Sequence, residues 1–192
     1  CEVEFLLCDG VLDSCIMSTI YNTSESNLSK YGTKRLCNSC FGIAYDYLRK
    51  TNIKINKFSD LLSKKDHEEI NNFNFDNFKI NNIKNFKVNN ISVGEHAYAG
   101  ALRYYAKTEI SDEIEFKNIT FKYLKSSLIT YFVIKNLFKK KKFDEILINH
   151  GIYVPQGIIN EFARINKINI STWCPGYRKK SFCFTRGDTY HR

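Results

Sequence analysis

Residues 143–173, FDEILINHGIYVPQGIINEFARINKINISTW, decide the fold. Phe143 to Asn149 is an apolar-rich run of strand length, and His150 to Pro155 carries Gly and Pro and reads as a loop. Gln156 to Lys167 spaces its apolar residues as a helix does, and Ile168 to Trp173 is a second strand. Strand, loop, helix and strand within about thirty residues is the size of a βαβ unit. Such a crossover implies a parallel pair with a right-handed connection. Parallel sheets of this kind bind ligands outside the carboxyl ends of their strands, which directs attention to His150.

Working outward, Val3 to Leu7 is apolar except for Glu4 and ends at Cys8-Asp9-Gly10, a mostly buried strand opening into a loop. Residues 22–34 are polar and rich in Ser and Asn, a loop by composition. Phe41, Ala44, Tyr45 and Leu48 recur at helical spacing, which puts Cys37-Asn38-Ser39-Cys40 on the first turn of a helix. Ile53, Ile55 and Phe58 give a short strand followed by a capped turn at Ser59 to Leu62. Residues 66–90 are dominated by Asn, Phe and Lys without a sustained period and read as an irregular or weakly helical insertion. Val93 opens a helix, residues 118–139 form a longer one, and Ser181 to Thr185 is a closing strand after a Pro175-Gly176 turn. The expected fold class is α/β, a Rossmann-like parallel sheet with flanking helices, in a single domain spanning 1–192.

Composition bounds the function. The chain has 192 residues, 43% hydrophobic and 26% charged, with 9 Gly and 2 Pro, which excludes disorder and collagen-like repeats. Without an initiating Met it is expected to begin inside a domain and to be a fragment. The net charge is +9, but 22 of the 29 basic residues are Lys and only 7 Arg, beside 20 Asn and 22 Ile. That is the bias of an A/T-rich coding sequence, whereas phosphate and base recognition favours the planar fork of Arg. A nucleic-acid partner is therefore not expected. Lys139 to Lys142 suits the C-terminus of a helix, with peripheral contact with an anionic membrane as the alternative. No tract reaches the roughly 20 apolar residues of a membrane span, and seven cysteines, an odd number in a chain of this size, favour a reduced cytoplasmic setting.

Several constellations carry chemistry. His150, at a strand tip and before a helix N-terminus, can serve as a general base or contact a hydroxyl-rich ligand, and Gly151 lets the backbone approach that ligand. Glu95 and His96 are a second acid/base pair at a helix start, and Arg103, two turns further on, shares their face and suits an anionic substrate group. Asp188 is either a ligand or acid/base residue or an ordinary turn Asp. Cys8, Cys15, Cys37 and Cys40 could close a zinc site or hold an iron–sulfur cluster, form a thiol/disulfide pair at the C-x-x-C, or be small buried residues. The sequence contains no GxGxxG, GxxxxGK[ST], HExxH or GxSxG.

The run from Ile148 to Arg192, INHGIYVPQGIINEFARINKINISTWCPGYRKKSFCFTRGDTYHR, together with CDGVLDSC (8–15), LCNSCF (36–41) and VGEHAYAGALRYYA (93–106), resembles the N-terminal part of bacterial capsular and surface-polysaccharide biosynthesis proteins of the glycosyltransferase B type. The resemblance implies an acceptor-side Rossmann-like domain paired with a C-terminal domain, outside this chain, that binds a nucleotide-sugar donor for transfer to a glycan acceptor. It implies His150 as base or acceptor contact with Glu95 and His96 alongside, and Tyr177, Arg178 and Lys179 lining the cleft mouth. A four-cysteine metal-binding scaffold of a polysaccharide assembly complex is the reading from another class.

Overall fold

A computed structural model describes residues 2–75 and 78–189. Tyr190, His191 and Arg192 of the resemblance lie outside the described residues. The first strand, β1 (Glu4–Leu7), is followed by α1 (Ile16–Ile20), α2 (Glu25–Tyr31) and α3 (Lys34–Cys37), which runs through a π-helical turn, Asn38–Gly42, into α4 (Ile43–Leu48). Next come β2 (Lys54–Lys57), α5 (Phe58–Leu61), α6 (Lys64–Asn71), α7 (Ile80–Ile83), α8 (Val93–Tyr105) and α9 (Ile114–Lys140). The chain closes with β3 (Glu145–Asn149), α10 (Gln156–Ile165), β4 (Asn169–Pro175) and β5 (Phe182–Arg186).

The architecture is mixed α/β. The βαβ unit forms as the sequence predicts, with β3 and β4 parallel in the register Glu145 to Asn169 through Asn149 to Trp173. β5 adds antiparallel to β4. β1 pairs in parallel with β2 as a separate two-stranded sheet, so one continuous parallel sheet is not formed. β1 and β3 instead face each other across an apolar cleft, with Phe5, Leu6, Leu147 and Ile148 along its walls.

Two further elements differ from their sequence reading. Residues 25–31 are helical rather than looped: Ser24 caps the helix by accepting from the Asn27 amide at 3.3 Å, and Leu28, fully buried, anchors it. A cap and a single buried anchor outweigh a polar composition. The helix carrying the C-x-x-C begins at Lys34, earlier than expected, so Cys37 ends α3 and Cys40 sits in the π-helical turn. Within residues 66–90, α6 has a reciprocal Ser63–Asp66 capping box, and Ile70, Ile80 and Ile83 enter the core. Phe73, Phe75, Phe78 and Phe86 stack on one another there.

The core is organised around α9, 27 residues long. Its interior hydroxyls are satisfied on the helix itself: Thr120, Ser126, Ser127 and Thr130 donate to carbonyls four residues back at 2.6–3.0 Å. Glu4 of β1 accepts from Lys141 at 2.8 Å and from Asn56 of β2 at 2.7 Å, tying the first sheet to the end of α9. The Lys141 hydrogen bond, more than any other contact, holds the Glu4 carboxyl at about 2. No helix among the described residues is long and apolar enough to cross a membrane.

Close approach requires glycine where α8 begins, because a Cβ on Gly94 would stand 1.7 Å from the Ile83 carbonyl oxygen. Gly94→Ala should therefore destabilise the fold by about 2 kcal/mol, since overpacking against backbone costs more than the roughly 1 kcal/mol that Ala gains in a helix; chemical denaturation checks this. Because the Glu4 carboxyl titrates lower in the folded chain, its contribution is complete above its ordinary value of 4.5 and lost as pH falls towards 2. Glu4→Gln should flatten that acid limb of the stability profile while leaving the profile's shape above pH 6 unchanged.

Candidate functional site

The loop between β3 and α10 is held in an uncommon backbone conformation. His150 (φ 56°) and Gly151 (φ 79°) are both left-handed, which histidine tolerates better than most residues and which glycine adopts freely. The His150 amide donates to the Trp173 carbonyl at 3.0 Å, and the Gly151 amide to Asn149 at 2.7 Å. A Cβ on Gly151 would meet the Asn160 amide nitrogen at 1.8 Å, so no other residue fits beneath this loop. His150 is half-buried, and burial together with the positive charge of Arg103 lowers its pKa from 6.5, favouring neutral imidazole at pH 7.

The loop is fastened from below by α8. His96 is 7% exposed, and its Nδ1 donates to the Ile152 carbonyl at 2.6 Å. Its Nε2 lies 3.0 Å from the Glu161 carboxylate, whose other oxygen accepts from the Ser92 hydroxyl at 2.9 Å. Burial raises the Glu161 pKa, but the hydrogen bonds from His96 and Ser92 outweigh it and the carboxyl titrates below its ordinary value. The Ile152 carbonyl can only accept, so the Nδ1 proton faces it, and Nε2 faces the Glu161 carboxylate. Both nitrogens of His96 are thus engaged in holding the loop. Gly157 makes room for the ring, since a Cβ there would lie 2.2 Å from His96 Nδ1.

Above this pair lies a small cleft of about 50 Å³, where Glu95, His96, Arg164 and Thr189 meet Gly151, Ala99 and Ile152. That is space for a water or a hydroxyl group. Arg164 is fixed by a two-pronged pair with Asp188, its Nε at 3.0 Å from one carboxylate oxygen, and this pair raises its pKa. Next to the cleft, Asn160 (1% exposed) and Thr189 (3% exposed) leave their side-chain polar atoms without a hydrogen-bond partner. Unsatisfied buried groups of this sort are costly and mark a place where a partner is missing.

His150, Gly151, Glu95, His96, Arg103 and Asp188 are therefore gathered in one region. Arg103 is exposed, stacks on the Tyr153 ring at 4.7 Å and places its charge near His150. Tyr177, Arg178 and Lys179 stand exposed in the turn between β4 and β5 and line none of these clefts. Cys8, Cys15, Cys37 and Cys40 converge on the walls of a second, larger cleft bordered by the loop. Burial pushes the Cys8 thiol up to about 11 and the Cys15 thiol up to about 12, so both are protonated at neutral pH. Among the described residues no group of three or more His, Cys, Asp or Glu is arranged to hold a metal ion.

Sequence reading passed over Ser92, Asn160, Glu161 and Arg164. Their signal lies in α10, where Gly157, Asn160, Glu161 and Arg164 fall at i, i+3, i+4 and i+7 and bring polar residues to a face of a short helix. Glu161→Ala should cost about 3 kcal/mol at neutral pH, because it leaves the buried His96 Nε2 and the Ser92 hydroxyl without their hydrogen-bond partner. The folded pKa of Glu161 is lowered, so the gap between wild type and variant should be full above pH 4.5 and narrow as pH falls below it. Denaturant titration over pH 3–7 measures both. Comparison of the chain with protein-family models, with curated proteins and with solved structures returns no match.

Proposed function

We propose that this chain is the acceptor-side half of a glycosyltransferase of capsular or surface-polysaccharide assembly, which moves a sugar from a nucleotide-sugar donor to a hydroxyl of a glycan acceptor. The observation that supports it is the placement of a half-buried His150, its pKa lowered, at the carboxyl end of a parallel strand and next in the chain to Gly151, which lines a cleft of hydroxyl size. Attack by a sugar hydroxyl needs a base to take its proton as the bond to the anomeric carbon forms. His150 is the base in this reading. Glu95 and Arg164 contact the neighbouring acceptor hydroxyls, Arg103 keeps the imidazole unprotonated, and His96 with Glu161 positions the loop. The donor and its leaving phosphate belong to a second Rossmann-like domain, as the resemblance implies.

His150→Ala in the full-length protein should lower turnover of the nucleotide sugar by about 100-fold or more, the ordinary contribution of a general base. In the wild type kcat/KM should rise with pH to a plateau whose midpoint lies below 6.5, because the His150 pKa is lowered. Arg103→Ala should move that midpoint upward. A variant at His150 with unchanged rate removes it from the reaction.

A further inference from the structure

A larger cleft, bordered by the β3–α10 loop at Asn149, Pro155 and Gln156, has no part in the proposed chemistry. It encloses about 500 Å³ between the carboxyl ends of β1 and β3, α1 and the π-helical turn, within the roughly 300–1,000 Å³ of small-molecule sites. Among the described residues that line it none is charged. Its walls are aliphatic and aromatic side chains and four thiols, and the only uncharged amide side chains, Asn149 and Gln156, stand where the loop meets α10. A second cleft of about 220 Å³ continues between the same strands towards their amino ends, sharing Phe5, Leu6, Leu147, Ile148 and Ile159 with the first.

Shape and chemistry together select an occupant. β1 and β3 belong to separate sheets and are not hydrogen-bonded to each other, and residues of both strands line the two clefts. Four to five strand residues at roughly 3.3 Å each give a track of about 15 Å, the length of an extended chain of about twelve carbons. In the larger cleft a charged group would be buried without a counter-ion, at high cost, while the smaller one, lined mostly by apolar side chains, carries Glu4 and Glu145 at the far end of the track. Leu147 is 66% exposed although it lines both clefts, an apolar side chain left towards water at their junction. We infer that this track is a binding site for the hydrocarbon chain of a neutral amphiphile, with its uncharged polar head at Asn149 and Gln156. Such a site needs no transferase activity and can be tested without it.

The chain supplies its own reporters. Trp173 is the only tryptophan and lines the cleft, and Cys8, Cys15, Cys37 and Cys40 line it while Cys174 and Cys183 do not. Titration of the full-length protein with 1-octanol, 1-decanol, 1-dodecanol and 1-tetradecanol should give a saturable change in Trp173 emission. Affinity should tighten roughly tenfold for each two carbons added, then level off near twelve carbons. Saturating dodecanol should slow alkylation by N-ethylmaleimide at the four cleft cysteines and leave Cys174 and Cys183 unaffected, as read by peptide mapping. Leu147→Glu, at an exposed position where the fold is not at risk, should weaken dodecanol binding at least tenfold. An unchanged Trp173 signal, equal protection of Cys174 and Cys183 with the four cleft cysteines, or wild-type affinity in the variant would overturn the assignment. Binding to phosphatidylcholine vesicles without binding to monomeric alkanols would overturn it in favour of a bilayer-contacting surface.

Discussion

His96 and Glu161 meet at 3.0 Å in the interior, one from α8 and the other from α10, and neither can be removed without leaving the other's polar atom unpaired in a medium that solvates it poorly. The pair therefore fixes the distance between two helices that are remote in sequence. Its effect reaches further, because the second nitrogen of His96 holds the Ile152 carbonyl and so pins the β3–α10 loop. Once that loop is pinned, Gly151 must lie against Asn160 and His150 must adopt its left-handed backbone. Gly157 then has to lack a side chain, since the imidazole occupies that space. One buried polar contact thus explains two glycines and the backbone of the candidate base.

The loop so fixed separates two environments of opposite character. On one side Glu95, Arg164 and Thr189 surround a space the size of a hydroxyl group. On the other, Asn149 and Gln156 border a volume about ten times larger, without charge. The same few residues make this contrast because successive positions along an extended or tightly turning backbone point to different sides. Asn149 and Gly151, two residues apart with His150 between them, face the two clefts.

Much of this was legible in the sequence, and the parts that were not have physical reasons. The crossover of residues 143–173 was readable because apolar alternation, a Gly- and Pro-bearing loop and a helical period succeed one another without conflict. His150 and Gly151 were readable as a strand tip, whereas their meeting with Glu95 and His96 was implied by the resemblance alone and not by any pattern in the residues. The helix at residues 25–31 escaped notice because a single buried leucine, Leu28, carries its tertiary contact. Glu161 escaped because a carboxylate on a short helix ordinarily faces water, and only its partner on α8, 65 residues earlier, reveals why it is buried. The separation of the two sheets was likewise invisible. β1 and β3 each have strand patterning, and nothing in either run states which edge its backbone leaves open.

The cysteines show how environment decides chemistry. Spacing alone allowed Cys8, Cys15, Cys37 and Cys40 to be ligands, redox partners or packing residues, and three of these positions come from segments that the fold joins only at the carboxyl end of β1. Desolvation is the leading influence on Cys8, Cys15 and Cys40, and it raises all three thiols. A raised thiol is a poor nucleophile and a poor ligand, because both roles belong to the thiolate. It is, however, a small and polarizable apolar group. The same burial that holds these sulfurs in the protonated form gives the cleft an uncharged wall, and the requirement that its occupant be uncharged follows from it. Metal capture and hydrocarbon binding therefore make opposed demands on one set of residues: the first needs the thiols ionised, the second needs them neutral.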